Sequence, residues 1–215
     1  MWWFAAVASA AEPVALVELF TSEGCSSCPP ADALVAMLAE NPSLYTLSWH
    51  VDYWDGLGWP DPFASRDATD RQRAYVRALD VRGAYTPQVV VNGATEAVGS
   101  DRSKILDLLA ATKPAAVLAP TAKRAGGALV VTLPALPDGA IAHAAVVQRF
   151  AEIEVKRGEN AGRTLHHRNI VRTHATGGAT VKLPLPAGLS AADADIVVWT
   201  AVGDAVVGVG RVAIP

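Results

Sequence analysis

The chain's only two cysteines, Cys25 and Cys28, stand three positions apart between two segments of opposite character. Before them, Pro13–Phe20 (PVALVELF) is a short apolar run rich in Val and Leu, the pattern of a buried parallel strand. After them, Pro29 and Pro30 suit the first turn of a helix whose apolar stripe runs through Leu34, Val35, Leu38 and Ala39. The pattern predicts a strand-to-helix corner with Cys-Ser-Ser-Cys at the turn. Sulfurs at this spacing lie within bonding reach across one helical turn. The first also lies beside unpaired N–H groups at the positive end of the helix, which lower a thiol pKa from about 8.5 into a range of roughly 3.5–7.5. On this reading Cys25 is the exposed nucleophile and Cys28 the resolving thiol. Ser26 and Ser27 either donate to a thiolate or cap the helix. Two cysteines cannot build a disulfide scaffold; they form one redox centre or half of a metal site. A bridge closing so small a loop stabilises little, which weighs against a purely structural role.

Composition narrows the class. Of 215 residues, 51% are hydrophobic and 18% charged, enough for a packed core. Eighteen basic against 21 acidic residues give no broad cationic surface, so nucleic acid is not an expected partner. The opening Met1–Ala11 (MWWFAAVASAA) is apolar, uncharged and too short to span a membrane; its Ala8-Ser9-Ala10 has the form signal peptidase accepts. We read residues 1–11 as the remnant of an export signal, which implies a periplasmic or secreted protein. No later apolar run escapes charges or Pro, so no membrane span is expected.

Downstream, Leu44–Val51 alternates as a second strand and 52–67 is an irregular excursion. Ala68–Leu79 reads as a helix with Arg71, Arg73 and Arg77 on its wet side. Gln88–Asn92 and Glu96–Val98 form a hairpin about Asn92-Gly93, and Asp101–Ala111 is a third helix. Thr112–Pro120 reads as a linker. Beyond it come strands separated by turn signals, without helices, the pattern of a β-sandwich. The expected organisation is an α/β domain over 12–113, a mixed sheet with flanking helices, followed by an all-β sandwich-like domain over 114–215.

Thr86-Pro87 directly precedes QVVVNG, about 60 residues after the cysteines. With that pair in place, the first half resembles the thioredoxin fold. The resemblance implies a cis proline lying against the disulfide and a preceding residue whose backbone pairs with an extended substrate. By position these roles pass to Pro87 and Thr86. The whole chain is also similar to a bacterial secreted family known as domain of unknown function 1223. The matching segments are VELFTSEGCSSCPPAD, WHVDYWDGLGWPDPF, YTPQVVVNG and RGENAGRTLHHRNIVR. That resemblance implies a thioredoxin-like first domain, a β-rich second domain and export, but no established reaction.

Two other clusters stand out. His50 closes the second strand amid Trp49, Trp54, Trp59 and Phe63, on the side where Cys25 should lie. It either orders the excursion through Asp52 or Asp55, moves protons during disulfide exchange, or joins Cys25 and Cys28 as a copper ligand. The aromatics either line a groove for unfolded chains or pin the loop to the core. Lys156, Arg157, Arg163, Arg168 and Arg172 concentrate around Glu159, Asn160, His166 and His167. This stretch is a solvated hairpin, an anion site or a face turned to the redox centre. His143 and His174 have no partner pattern and read as structural. The expected function is thiol–disulfide exchange on protein thiols or disulfides through Cys25, Cys28, Thr86 and Pro87, with no cofactor. The alternative is a copper-binding or copper-delivery protein using Cys25, Cys28 and His50.

Overall fold

A computed structural model describes residues 14–215. The export-signal reading of residues 1–11 lies outside the described residues. The first half contains β1 (Ala15–Thr21), α1 (Pro29–Leu38), β2 (Leu44–His50), α2 (Arg66–Ala78), β3 (Gln88–Val91), β4 (Thr95–Val98) and α3 (Arg102–Ala111). The second half adds β5 (Ala116–Val117), β6 (Thr121–Ala125), β7 (Ala128–Thr132) and β8 (Ala140–Glu154). It ends with β9 (Thr164–Gly177), β10 (Thr180–Pro184), β11 (Ala194–Val202) and β12 (Ala205–Ala213). Helix starts follow local chemistry: Ser65 Oγ accepts from the Ala68 N–H and Asp101 Oδ1 from the Lys104 N–H. Helix α1 instead opens on Pro29 and Pro30, with Cys28 as its cap residue and no side-chain cap, so neither Ser26 nor Ser27 caps it.

The assembly corrects the expected fold class. The chain is not a thioredoxin-like α/β domain followed by a β-sandwich; it is built on one large curled mixed sheet. Nine strands run in the order β4-β3-β1-β2-β9-β8-β11-β12-β5, and a separate three-stranded sheet runs β10-β7-β6. The join is between β2 and β9, parallel neighbours that pair at Ser48 and Ile170. Ser48 Oγ–H donates to the Arg168 carbonyl at 2.8 Å, and Asn169 Nδ2 donates to Thr46 Oγ1 at 2.7 Å. The segment read as a linker is stitched in as well. Ala115 bridges Val14, β5 pairs with β12, and the Leu118 N–H donates to Val209.

One apolar layer crosses the join. Leu16, Phe20, Leu47 and Trp49 of the first half pack with Val147, Val171, Val197 and Trp199 of the second. On the opposite face, α1 and α3 cover Val17, Leu19 and Val89, while the three-stranded sheet covers Val146, Ile196 and Val198. Within the shared layer lies a charge that periodicity puts in water: Arg71. Its side chain is only 11% exposed, and its Nε and Nη2 donate to the two carboxylate oxygens of fully buried Glu18 at 2.6 and 3.0 Å. Trp49 Nε1 and the Tyr75 hydroxyl also donate to Glu18. A buried carboxylate needs such a set of donors to offset its lost hydration.

Candidate functional site

Cys25 and Cys28 are joined by a disulfide, with Cα atoms 5.4 Å apart. The corner at the end of β1 brings them together, as the Cys28 N–H donates to the Cys25 carbonyl and the first α1 amides donate to the Cys28 carbonyl. Ser27 Oγ lies 3.3 Å from Cys25 Sγ, placing one hydroxyl beside the sulfur. Ser26 turns the other way, its N–H donating to Glu159 Oε2 at 3.0 Å. The Ser26 hydroxyl first, then this N–H, hold the exposed Glu159 carboxyl below its ordinary range.

The expectation of an exposed Cys25 is corrected: both cysteines are 0% exposed. Their cover comes from the far half of the chain. The loop between β8 and β9 folds over the corner, and fully buried Asn160 donates through Nδ2 to the carbonyls of Glu23 (2.8 Å) and Cys25 (3.0 Å). Arg163 fixes Asn160 by donating to its Oδ1 at 2.8 Å. Gly158, at φ +77°, lies against Trp59 and Gly58, where an added Cβ would come within 3.3 Å of Trp59. Of the alternatives for this stretch, the structure realises the face turned to the cysteines, through Asn160 and Glu159.

A cluster of buried polar side chains lies beside the cysteine corner. His50 Nδ1 meets Asp61 Oδ2 at 2.7 Å, both side chains fully buried, and the Glu23 and Phe63 N–H groups also donate to Asp61. His50 therefore pairs with Asp61, not with Asp52 or Asp55 as expected. His167 reaches in from β9, its ring centroid 4.7 Å from that of His50 and its Nε2 3.2 Å from Glu23 Oε1. The second contact is within ion-pair range but off hydrogen-bond alignment. Asp32, one helical turn after Cys28, completes the group. Burial works to lower the His50 pKa, but Asp61, then Asp32 and Glu23, outweigh it and leave it raised. Burial likewise works to raise Asp61, and His50 with the two amides holds it low. At Asp32 burial prevails and the carboxyl is raised. Eight buried side-chain polar atoms among the described residues have no partner, and six belong to Thr21, Glu23, Asp32, His50 and His167. Such groups mark a site where protons are held or moved, or where water is bound.

Thr86 and Pro87 are brought to the same corner. The Thr86–Pro87 peptide is cis. Pro87 and Ala31 of α1 both lie about Gly99, where an added Cβ would be 3.0 Å from each. Trp54 links this bond to the cysteines: its Nε1 donates to Thr86 Oγ1 at 2.9 Å, and its Cβ packs on Gly24. Trp59 Nε1 donates to Glu23 Oε2 at 2.7 Å. These two tryptophans pin loops to the corner, while Tyr53 and Leu57 remain exposed around it. Among the described residues no group of three or more His, Cys, Asp or Glu side chains is arranged to hold a metal ion. The two sulfurs are bonded to each other, and His50 Nε2 has no partner.

The model of the family described as protein of unknown function (DUF1223) matches residues 16–201, across the corner, the join and the covering loop. The chain belongs to the DUF1223 family. A crystal structure of a protein from Agrobacterium tumefaciens is similar at 33% identity and a TM-score of 0.74, over 95% of this chain and 96% of that one. HBP35 of Porphyromonas gingivalis shares the fold at 15% identity and a TM-score of 0.59, over 94% of this chain and 75% of that one. A search of curated proteins finds no match. No helix among the described residues of this DUF1223 member is long and apolar enough to cross a membrane.

Glu23, Asp32 and Asp61 escape the sequence reading as site residues. Asp32 has a signal, a carboxylate at i+4 from Cys28 on the helix face that enters the core. Asn160 and His167 belong to the stretch whose alternatives include a face turned to the redox centre, and the β2–β9 pairing brings them to the cysteines.

Proposed function

We propose that the chain is a thiol–disulfide oxidoreductase acting on proteins, with Cys25-Ser26-Ser27-Cys28 as its centre. The observation that carries this reading is the disulfide between the chain's only two cysteines, set at a helix start and flanked by buried titratable side chains with unpartnered polar atoms. Closing a loop of this length contributes only about 2 kcal/mol of chain-entropy stabilisation, against almost 5 for a loop of about 100 residues. A structural staple is poorly served by that position, whereas an exchanging pair is well served by it.

In the oxidising direction, a substrate thiolate bonds to Cys25 Sγ as the Cys25–Cys28 bond breaks, and Cys28 leaves as a thiolate that takes up a proton. A second substrate thiol then attacks the mixed disulfide. Substrate leaves oxidised and the pair leaves as two thiols. Reduction runs the same steps backwards. His50, whose pKa Asp61 raises against burial, and Asp32, whose pKa burial raises, are the titratable groups that give and take protons beside the pair. Ser27 Oγ stabilises the Cys25 thiolate. The half-buried Thr86 next to buried Pro87 offers backbone to an extended partner. Because both sulfurs are covered, exchange requires the β8–β9 loop to lift, which makes Asn160 the latch.

Equilibration in glutathione buffers tests the proposal. An exchanging pair titrates reversibly with a potential above about −300 mV. A pair that stays oxidised throughout is an inert bridge and removes the proposal.

A further inference from the structure

Beside the cysteine corner, α1 and the first residues of β9 do not close on each other. A cavity of about 330 Å³ lies between them, with Phe150 of β8 also in its wall. The gap has a local cause. Ala33 and Ala36, three positions apart on one face of α1, present only methyl groups to it, where longer side chains would fill the space. Leu165 and Pro29 continue the apolar surface, and Pro29 directly follows Cys28, so the cavity starts next to the disulfide. The Phe150 ring is 45% exposed, a large apolar group left open to a partner.

The rim of this trough carries unmatched positive charge. Arg168 stands opposite Phe150 in the β8–β9 pair, and its guanidinium lies over the Phe150 ring, 5.5 Å from the centroid. Stacking uses a face of the guanidinium and leaves the N–H groups in its plane for another acceptor. Arg163 donates from Nη1 to Asn160 Oδ1 and keeps its other N–H groups. The acids on the same strands are already taken, Glu152 by His166 at 3.2 Å and Glu154 by Lys156. Among the described residues no carboxylate lies within ion-pair distance of Arg163 or Arg168. The acid in the wall, Asp32, is only 9% exposed, with one carboxylate oxygen sealed from solvent, so it presents little charge to the opening. Planar guanidinium groups above an apolar trough select a carboxylate that neighbours an apolar side chain.

We propose that this cavity docks the protein partner of the disulfide through an extended segment, with an apolar side chain between Ala33, Ala36 and Leu165 and an adjoining carboxylate on Arg168 and Arg163. The inference rests on the oxidoreductase reading and names its substrate class: protein thiols or disulfides flanked by acidic and apolar residues.

The test is titration of the oxidised full chain with the cysteine-free peptide acetyl-Ala-Glu-Leu-Glu-Ala-amide, against the same peptide with Gln at both Glu positions. The readouts are the methyl signals of Ala33 and Ala36 and the Nε–H signal of Arg168. Without a cysteine the peptide reports docking alone, whereas glutathione equilibration reports exchange alone, so failure of one is distinct from failure of the other. Saturable shifts of all three signals are expected with the acidic peptide. Its affinity should be about tenfold above that of the Gln peptide, about threefold for each charge pair. Arg168→Gln should lower the acidic peptide's affinity about threefold and leave that of the Gln peptide unchanged. Arg168 is exposed, so this variant keeps the fold. Ala33→Trp, at an exposed position of α1, should fill the trough and block both peptides. No saturation, equal affinity of the two peptides, stationary Ala33 and Ala36 signals, or undiminished affinity in either variant would overturn the proposal.

Discussion

Asn160 donates a hydrogen bond to the Cys25 carbonyl across 135 positions of sequence, and with it the second half of the chain closes over the disulfide of the first. The same Nδ2 group also serves Glu23, so one buried amide holds both sides of the corner.

Asn160→Ala should therefore loosen the cover without touching a sulfur. The two lost bonds contribute about 1 kcal/mol each, so the open form should become more populated and dithiothreitol should reduce the disulfide about thirtyfold faster. Stopped-flow reduction of parent and variant measures this. An unchanged rate would mean that Asn160 does not latch the loop.

The His50–Asp61 pair sets a pH dependence of stability. His50 is raised above its ordinary 6.5, so its contribution is complete below that value and is lost as pH rises through the higher folded pKa. Asp61 is held below 3.8, so its contribution is complete above that value and is lost as pH falls through the lower folded pKa. The parent should exceed His50→Gln by about 2 kcal/mol between roughly pH 4 and 6.5, and the gap should narrow on the alkaline side. Urea unfolding across pH provides the check, and a gap that widens above pH 7 would contradict the assignment.

Glu18→Gln should cost about 3–5 kcal/mol, because it leaves the Arg71 guanidinium buried without its counter-charge. Double replacement by apolar residues of similar volume should cost less than the single change. Equilibrium denaturation of the two variants separates the cost of an orphaned charge from the net worth of the pair.

At Gly93, φ is +64° and an added Cβ would lie 1.9 Å from the Asp204 carbonyl oxygen. The β3–β4 turn is thus packed directly on the β11–β12 turn of the other half. Gly93→Ala should cost about 3 kcal/mol from strain and overlap together, read from its urea midpoint. Since one apolar layer spans both halves, unfolding should remain a single transition.

Much of the local structure is legible in the chain. The strand–cysteine–helix corner, the Asn92-Gly93 turn and the helix ending near Ala111 follow from apolar runs and turn chemistry. The assembly is not legible. Nothing in LYTLSWHV indicates that its free edge takes β9 as a neighbour, and turn residues around Thr112–Pro120 look alike in a linker and in a stitched edge. Arg71 misleads for a related reason: helical periodicity cannot register that Glu18, 53 positions earlier, waits in the core. His50 stands where its strand predicts but with another partner, since Asp52 and Asp55 are near in sequence while Asp61 is brought back by the turn at Gly58.

The most direct measurement of the central claim is turnover in a disulfide-exchange assay, with insulin reduction and refolding of reduced ribonuclease covering the two directions. The account predicts catalysis by the parent in at least one direction and none by Cys25→Ser. A parent without turnover in either, or a Cys25→Ser chain as active as the parent, would contradict it.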